Sequence, residues 1–370
     1  MRTLVVSDLH LGSIGRVDLL RRPELRRPLI ERLADGIDRF VILGDCLELR
    51  EGPIRAAAQH AEPLLREAGQ ALGPDGEIIL AGGNHDHNLI GGWTEMHLAQ
   101  DERIALEHRV EPHDAGPIPE LLATYAAPAR LTFTYPGIWL RDDVYALHGH
   151  YLDLHTTVPT IERLAAGTMA RAVSPIPEHG AEPADYEAAL APLYAWMYAL
   201  AQRSKDSVTR AGSRSSTRFW LALTGEGRKR RPVRAAALNA GLRAGVAVVN
   251  LAGIGPVEAK LSGPALRRGS LRGLGEVLRR LDVRAEYVLF GHTHRSGPWP
   301  HDDPAEWRAP TGARLVNTGS WVYQRHFLSD RAGEGPYWPG TAILVEDEGP
   351  PRIESFLRDR SHQALKPPPA

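Results

Sequence analysis

Five short stretches of the chain carry side chains that bind cations or move protons. They are Asp8-Leu9-His10, Gly44-Asp45, Gly83-Asn84-His85-Asp86, His148-Gly149-His150 and Gly291-His292-Thr293-His294. Carboxylate and imidazole groups suit divalent metals, and Asn84 adds a neutral oxygen. His85, next to Asn84, can give or take a proton near neutral pH. Each stretch alone is a weak signal, since an Asp-x-His or Gly-Asn-His-Asp segment is by default a polar turn. Together Asp8, His10, Asp45, Asn84, His148, His292 and His294 offer seven oxygen and nitrogen donors and no sulfur. That exceeds the need of one tetrahedral zinc and suits two divalent cations sharing a bridging carboxylate. Between the neighbours His148 and His150, we prefer His148, which sits nearer the end of an apolar run.

The elements that must position these residues follow from hydrophobic patterning. Leu4-Val5-Val6, Arg39 to Leu43 and Glu77 to Leu80 read as buried strands, separated by helical stretches from about Val17 to Asp35 and Ile54 to Leu72. In the first of these helical stretches, Pro23 and Pro28 are expected to break the helix. Strand, helix, strand, helix, strand is the pattern of a parallel α/β layer. Open α/β sheets place their sites at the carboxyl ends of strands, and here three successive strands end in Asp-x-His, Gly-Asp and Gly-Asn-His. Further strands are predicted at Asp143 to Leu147, Glu286 to Phe290, Arg314 to Val316 and Thr341 to Val345. The proline-punctuated stretch 88–141 predicts loops and short elements. The charged tail from Glu346, ending in prolines, predicts poor order.

Composition sets outer limits. The chain has 370 residues, 24% charged and 43% hydrophobic, as in ordinary globular proteins. Its single cysteine, Cys46, excludes an intrachain disulfide and a cysteine-based zinc site. No signal peptide or membrane-spanning run is expected, and the longest apolar run in the C-terminal half, Ala244 to Ile254, is too short for one. These features predict a cytoplasmic protein.

The net charge of −1 is unevenly spread. Residues 203–284 hold 18 Lys and Arg against 5 Asp and Glu, so this region carries +13 and the remainder −14. A helical, basic module is thus set into an acidic body. In the helical stretch from about His155 to Arg284, Tyr186, Leu190, Leu193, Tyr194, Met197 and Tyr198 form one apolar helix face, read as core packing. Arg228-Lys229-Arg230-Arg231 reads as a solvated loop between helices.

The ordered set of five stretches resembles the calcineurin-like metallophosphoesterase superfamily, over residues 2 to about 150 and 286 to about 320. The resemblance implies a four-layer α/β/β/α sandwich with a helical insertion acting as a cap. It divides the chain into a core first part at 1–155, a basic insertion at 156–284, a core second part at 285–348 and a tail at 349–370. It implies two divalent metal ions, about 3.5–4 Å apart. Mn2+ is the expected occupant, with Fe, Zn or Ni as alternatives. Asp8, His10, Asp45 and His294 would hold one, and Asp45, Asn84, His148 and His292 the other. His85 would be the general acid, oriented or tuned by Asp86, and metal-activated hydroxide would attack the phosphorus.

Gly44-Asp45-Cys46-Leu47-Glu48 and Asp8-Leu9-His10-Leu11-Gly12 are similar to the branch that includes UDP-2,3-diacylglucosamine pyrophosphatase. That branch implies a phosphoester or pyrophosphate substrate, lipid-linked or nucleotide-like, and peripheral membrane association through the basic insertion. Two rival readings remain. The basic insertion could serve a nuclease, although no nucleic-acid-reading motif is present. Alternatively the chain is a non-catalytic metal-binding scaffold.

Overall fold

The computed structural model describes residues 1–100, 102–156, 176–203 and 263–368. The fold is mixed α/β, built on one sheet of 11 strands. The strands are β1 (Thr3–Val6), β2 (Arg39–Leu43), β3 (Glu77–Ala81), β4 (Glu107–Val110), β5 (Arg130–Arg141), β6 (Val144–Leu147), β7 (Tyr287–Phe290), β8 (Ser296–Gly297), β9 (Arg314–Thr318), β10 (Thr341–Val345) and β11 (Arg352–Ser355). Their spatial order is β11-β10-β1-β2-β3-β5-β6-β7-β9-β8, with β4 on β5. β1, β2, β3 and the first part of β5 run parallel, as do β6, β7 and β9.

β5 joins these two parallel halves. Its residues 130–134 pair with β3 and its residues 137–141 pair antiparallel with β6. The sheet curls on itself around this strand. One face of each half contributes to a single apolar cluster, in which Val5, Val41 and Ile79 meet Ile138, Val144, Leu289 and Val316. The opposite faces, through Leu4, Phe40, Ile78 and Val288, pack in the larger cluster that also takes up the helices. Strands buried on both faces need continuous apolar runs, which is why these segments are so uniformly Val, Leu and Ile. Each such side chain removed from water stabilises the fold by roughly 1.5–3 kcal/mol.

Several expectations are corrected. The helix Pro23–Ala34 is unbroken: Pro23 lies in the first turn, where its missing N–H costs nothing, and Pro28 sits inside the helix. The stretch 88–141 contains β5, the longest strand among the described residues, and the helices Gly91–Ala99 and Pro117–Ala126. Proline counting concealed β5 because Pro136 pairs across to Glu107 of the short edge strand β4. The described part of the tail, expected to be poorly ordered, is packed onto the fold. β11 pairs with β10, and Leu357 and Leu365 are buried.

Of the insertion, the helices Pro183–Arg203 and Gly263–Arg280 are described. The expected apolar face on the first holds in part: Tyr186, Leu190 and Tyr194 are buried and Leu193 and Tyr198 partly so. The run Arg228 to Arg231 and the apolar run Ala244 to Ile254 lie outside the described residues. Among the described residues no helix is long and apolar enough to cross a membrane.

Candidate metal centre

The carboxyl ends of six parallel strands converge, and each delivers polar residues to one place. β1 leads into Asp8 and His10, β2 into Asp45, β3 into Asn84 and His85, β6 into His148, β7 into His292 and His294, and β9 ends in Asn317 and Thr318. The loop after β1 is laced to the loop after β2 by backbone bonds, with Leu9 N and His10 N donating to Asp45 O at 2.9 Å each. The chain is forced into unusual conformations here. Asp8, His10, Asp45, His292 and His294 all have positive φ, between 48° and 66°. Left-handed backbone outside glycine costs of order 1–3 kcal/mol per residue and concentrates at functional sites.

Every sequence-predicted ligand joins the cluster. Asp8 Oδ1 lies 3.2 Å from His294 Nε2, which is 3.1 Å from His10 Nε2. Asp45 Oδ2 lies 3.7 Å from His10 Nε2 and 3.3 Å from His148 Nε2. The Asn84 amide oxygen is 3.0 Å from His148 Nε2 and 3.2 Å from His292 Nδ1. Among the described residues Asp8, His10 and His294 therefore form one metal-competent group, Asp45, His148 and His292 a second, and His10, Asp45 and His85 a third that overlaps the first two.

The outer nitrogens of the four histidines show which atoms face inward. His10 Nδ1 is 2.9 Å from Glu48, His148 Nδ1 is 2.9 Å from Leu43 O, His292 Nε2 is 3.1 Å from Asp153 and His294 Nδ1 is 3.4 Å from Gln324. Each ring thus has an outer acceptor for one N–H, so that the other nitrogen, once deprotonated, offers its lone pair to the cluster. That is how ligating histidines are held.

The cluster's interior is short of positive charge. Asp8 Oδ1 is buried without a hydrogen-bond donor. The Asn84 oxygen faces three acceptors, Asp45 Oδ2, His148 Nε2 and His292 Nδ1, a conflict that either an overturned amide or a cation resolves. Donor atoms about 2.0–2.2 Å from one cation sit about 3.0–3.5 Å apart at octahedral to tetrahedral angles, so the spacing fits a cation. Protonation tells the same story. Burial disfavours charge on His10 and His148. Glu48, Asp45 and Asp8 outweigh it at His10, raising its pKa to about 10, and Asp45 and Asp8 raise that of His148 to about 9. Burial likewise opposes charge on Asp45, yet His148, His85 and His10 hold its carboxyl well below the usual range.

His85 stands at the rim. Its backbone N–H donates to Asp45 Oδ1 at 2.8 Å, and its Nδ1 is 2.8 Å from Glu48 Oε2. Burial lowers its pKa, Glu48 opposes that, and the nearby Arg50 adds to it. The expected partnership of Asp86 with this ring is not present. The Asp86 carboxylate instead accepts from the backbone N–H groups of Gly83, Asp45, Cys46 and Leu47, at 2.8, 3.3, 2.7 and 3.2 Å. Asp86 points down into the loops because four unpaired amides are there, and Glu48 takes the place at the imidazole. Cys46 is buried, consistent with a packing role.

His150, the less favoured neighbour, lies off the cluster. Its Nε2 is 3.3 Å from Tyr135 Oη, and its Nδ1 has no partner. Sequence reasoning quoted Glu48 within its motif without giving it a role, and missed Asp153, Gln324 and Arg50. Glu48 carried a signal, being three residues past Asp45 in the same strand-end loop. The other three have no motif spacing. Arg50 places Nη1 3.4 Å from His85 Nε2 and its guanidinium 5.3 Å from the centre of the Tyr194 ring, and its buried Nε has no partner.

A cavity of about 250 Å³ opens over Asp45, Asn84, His85, His292 and His294. Its far wall is Leu266, Arg267 and Leu271 of the helix Gly263–Arg280, with Trp307, Phe327 and Tyr337. No protein-family model and no curated protein matches this chain.

Proposed function

We propose that the chain is a dinuclear, metal-dependent phosphohydrolase of the calcineurin-like type, its curled sheet and flanking helices forming a four-layer α/β/β/α sandwich. The observation that carries the reading is the set of four histidines, each with one nitrogen tied to an outer acceptor and the other aimed at Asp8, Asp45 or Asn84. Asp8, His10, Asp45 and His294 would hold one cation. Asp45, Asn84, His148 and His292 would hold the second, and Mn2+, Fe, Zn or Ni all suit such donors. When bound, two such cations supply acidification of water and neutralisation of phosphoryl charge.

The remaining steps belong to the chain's own groups. Arg50, whose Nη1 lies 3.4 Å from His85 Nε2, would bind a phosphoryl oxygen beside the cluster, as guanidinium groups do with anions. An anion there offsets the charge that now lowers the His85 pKa, so the imidazole is more readily protonated when substrate is present. Glu48 holds Nδ1, leaving Nε2 to give its proton to the departing oxygen. The walls of the cavity, part apolar and part arginine, favour a phosphorylated small-molecule or lipid-like substrate.

The nuclease reading is less well supported. Among the described residues, Arg267 and Arg268 pair with Glu306 at 2.6 and 3.5 Å, and Arg279 and Arg280 pair with Glu276 at 2.8 and 2.7 Å. Arginines engaged by carboxylates release few counterions from a nucleic acid. The test is hydrolysis of p-nitrophenyl phosphate and bis-p-nitrophenyl phosphate with Mn2+. Wild type should turn over at least one, and His85→Ala should lose turnover while keeping metal. An inactive wild type across several metals and substrates favours the scaffold reading.

A further inference from the structure

The helix Pro183–Arg203 belongs to the insertion, yet it reaches under the site. Glu187, in its second turn, is fully buried. Its Oε2 lies 2.7 Å from His87 Nε2, while its Oε1 accepts from Tyr151 Oη at 2.8 Å and from Tyr135 Oη. A buried carboxylate with three partners, two of them on different loops, is an expensive feature to place in a merely space-filling helix.

Those partners lie one step from the proposed chemistry. His87 follows His85 by two residues, and the intervening Asp86 is already clamped to the loop of Asp45. The two residues that follow His85 are therefore both anchored, Asp86 to the loop of Asp45 and the His87 ring to Glu187. Tyr151 lies in the turn His150–Leu154, which also carries Asp153, the outer partner of His292. The same helix makes a second approach. Tyr194 lies against the Arg50 guanidinium, and Gln202 accepts from Ile54 N at 3.0 Å and donates to Gly52 O at 2.9 Å, fixing the loop that bears Arg50.

We propose that Glu187 is a positioning residue, which holds the loop of His85 at the angle needed for proton donation to the leaving oxygen. The insertion is then part of the catalytic apparatus. This inference rests on the phosphohydrolase reading.

The test exploits leaving-group basicity. p-Nitrophenolate departs with little help from an acid, whereas phenolate needs the proton more. In Mn2+-saturated full-length protein, Glu187→Gln should lower kcat for phenyl phosphate about tenfold more than for p-nitrophenyl phosphate, within the range of general acid catalysis. Tyr151→Phe, which removes one of the three partners, should show a smaller split in the same direction. Leu190→Ala, on the same helix with a buried apolar side chain, lowers stability without touching the network and should lower both rates equally. If Glu187→Gln and Tyr151→Phe reduce both substrates in parallel, or leave both unchanged, the positioning role is overturned while the phosphohydrolase reading stands. A wild type that hydrolyses neither substrate overturns both.

Discussion

Glu48 Oε2 lies 2.8 Å from His85 Nδ1 and, at the same time, 2.9 Å from His10 Nδ1. One carboxylate thus orients the proposed acid and a proposed metal ligand. Burial opposes its ionisation, but His85 and His10 hold its pKa below the ordinary range. Glu48→Gln keeps the shape and removes the charge. It should lower kcat and weaken metal affinity together, each by about 10–100-fold, the usual effect of removing an outer partner of a ligand. Parallel kcat measurements and Mn2+ titrations check this.

Metal removal should reduce stability. Asp8 and Asp45 are buried among lone pairs that a cation would satisfy. Mn2+ at about 100 times its dissociation constant should stabilise the fold by about 2.7 kcal/mol for each site filled, read as a rise in Tm that chelator reverses. Asp45→Asn, lacking the shared charge, should lose most of that rise.

Two glycines are required by the same closeness. A Cβ on Gly83 would stand 2.3 Å from Asp45 Oδ1 and 2.4 Å from Asp45 N. At Gly44, where φ is +82°, it would stand 2.4 Å from the His148 ring. Gly44→Ala and Gly83→Ala should each destabilise by about 1–3 kcal/mol and reduce Mn2+ binding, as urea unfolding and metal titration would show.

The strand-end motifs and their order were legible in the sequence, because an apolar run ending in Asp, Asn or His is a local pattern. So were most of the strands that carry them. The outer partners were not, since Asp153 and Gln324 meet His292 and His294 only through the sheet's curvature. Asp86 was assigned to the wrong neighbour because adjacency in sequence says nothing of which way a side chain turns. β5 was missed because its two halves serve different neighbours, and Pro136 sits where they meet.

Acid should unfold the protein partly through Glu187. Burial raises its pKa, but His87 and the two tyrosines outweigh that and hold it below the ordinary 4.5. A depressed carboxyl stabilises fully above its unfolded pKa and loses that contribution as pH falls through the folded value. The stability difference between wild type and Glu187→Gln should therefore shrink as pH falls from about 5 to 3. Denaturant titrations across that range would measure it, and a difference that grows would contradict the assignment.

The central claim is that Asp45 sits between two cations. Anomalous diffraction from crystals grown with Mn2+ tests it most directly. Two peaks per chain are expected, one among Asp8, His10 and His294 and the other among Asn84, His148 and His292, both adjoining Asp45. A single peak, or none beside Asp45, would contradict it.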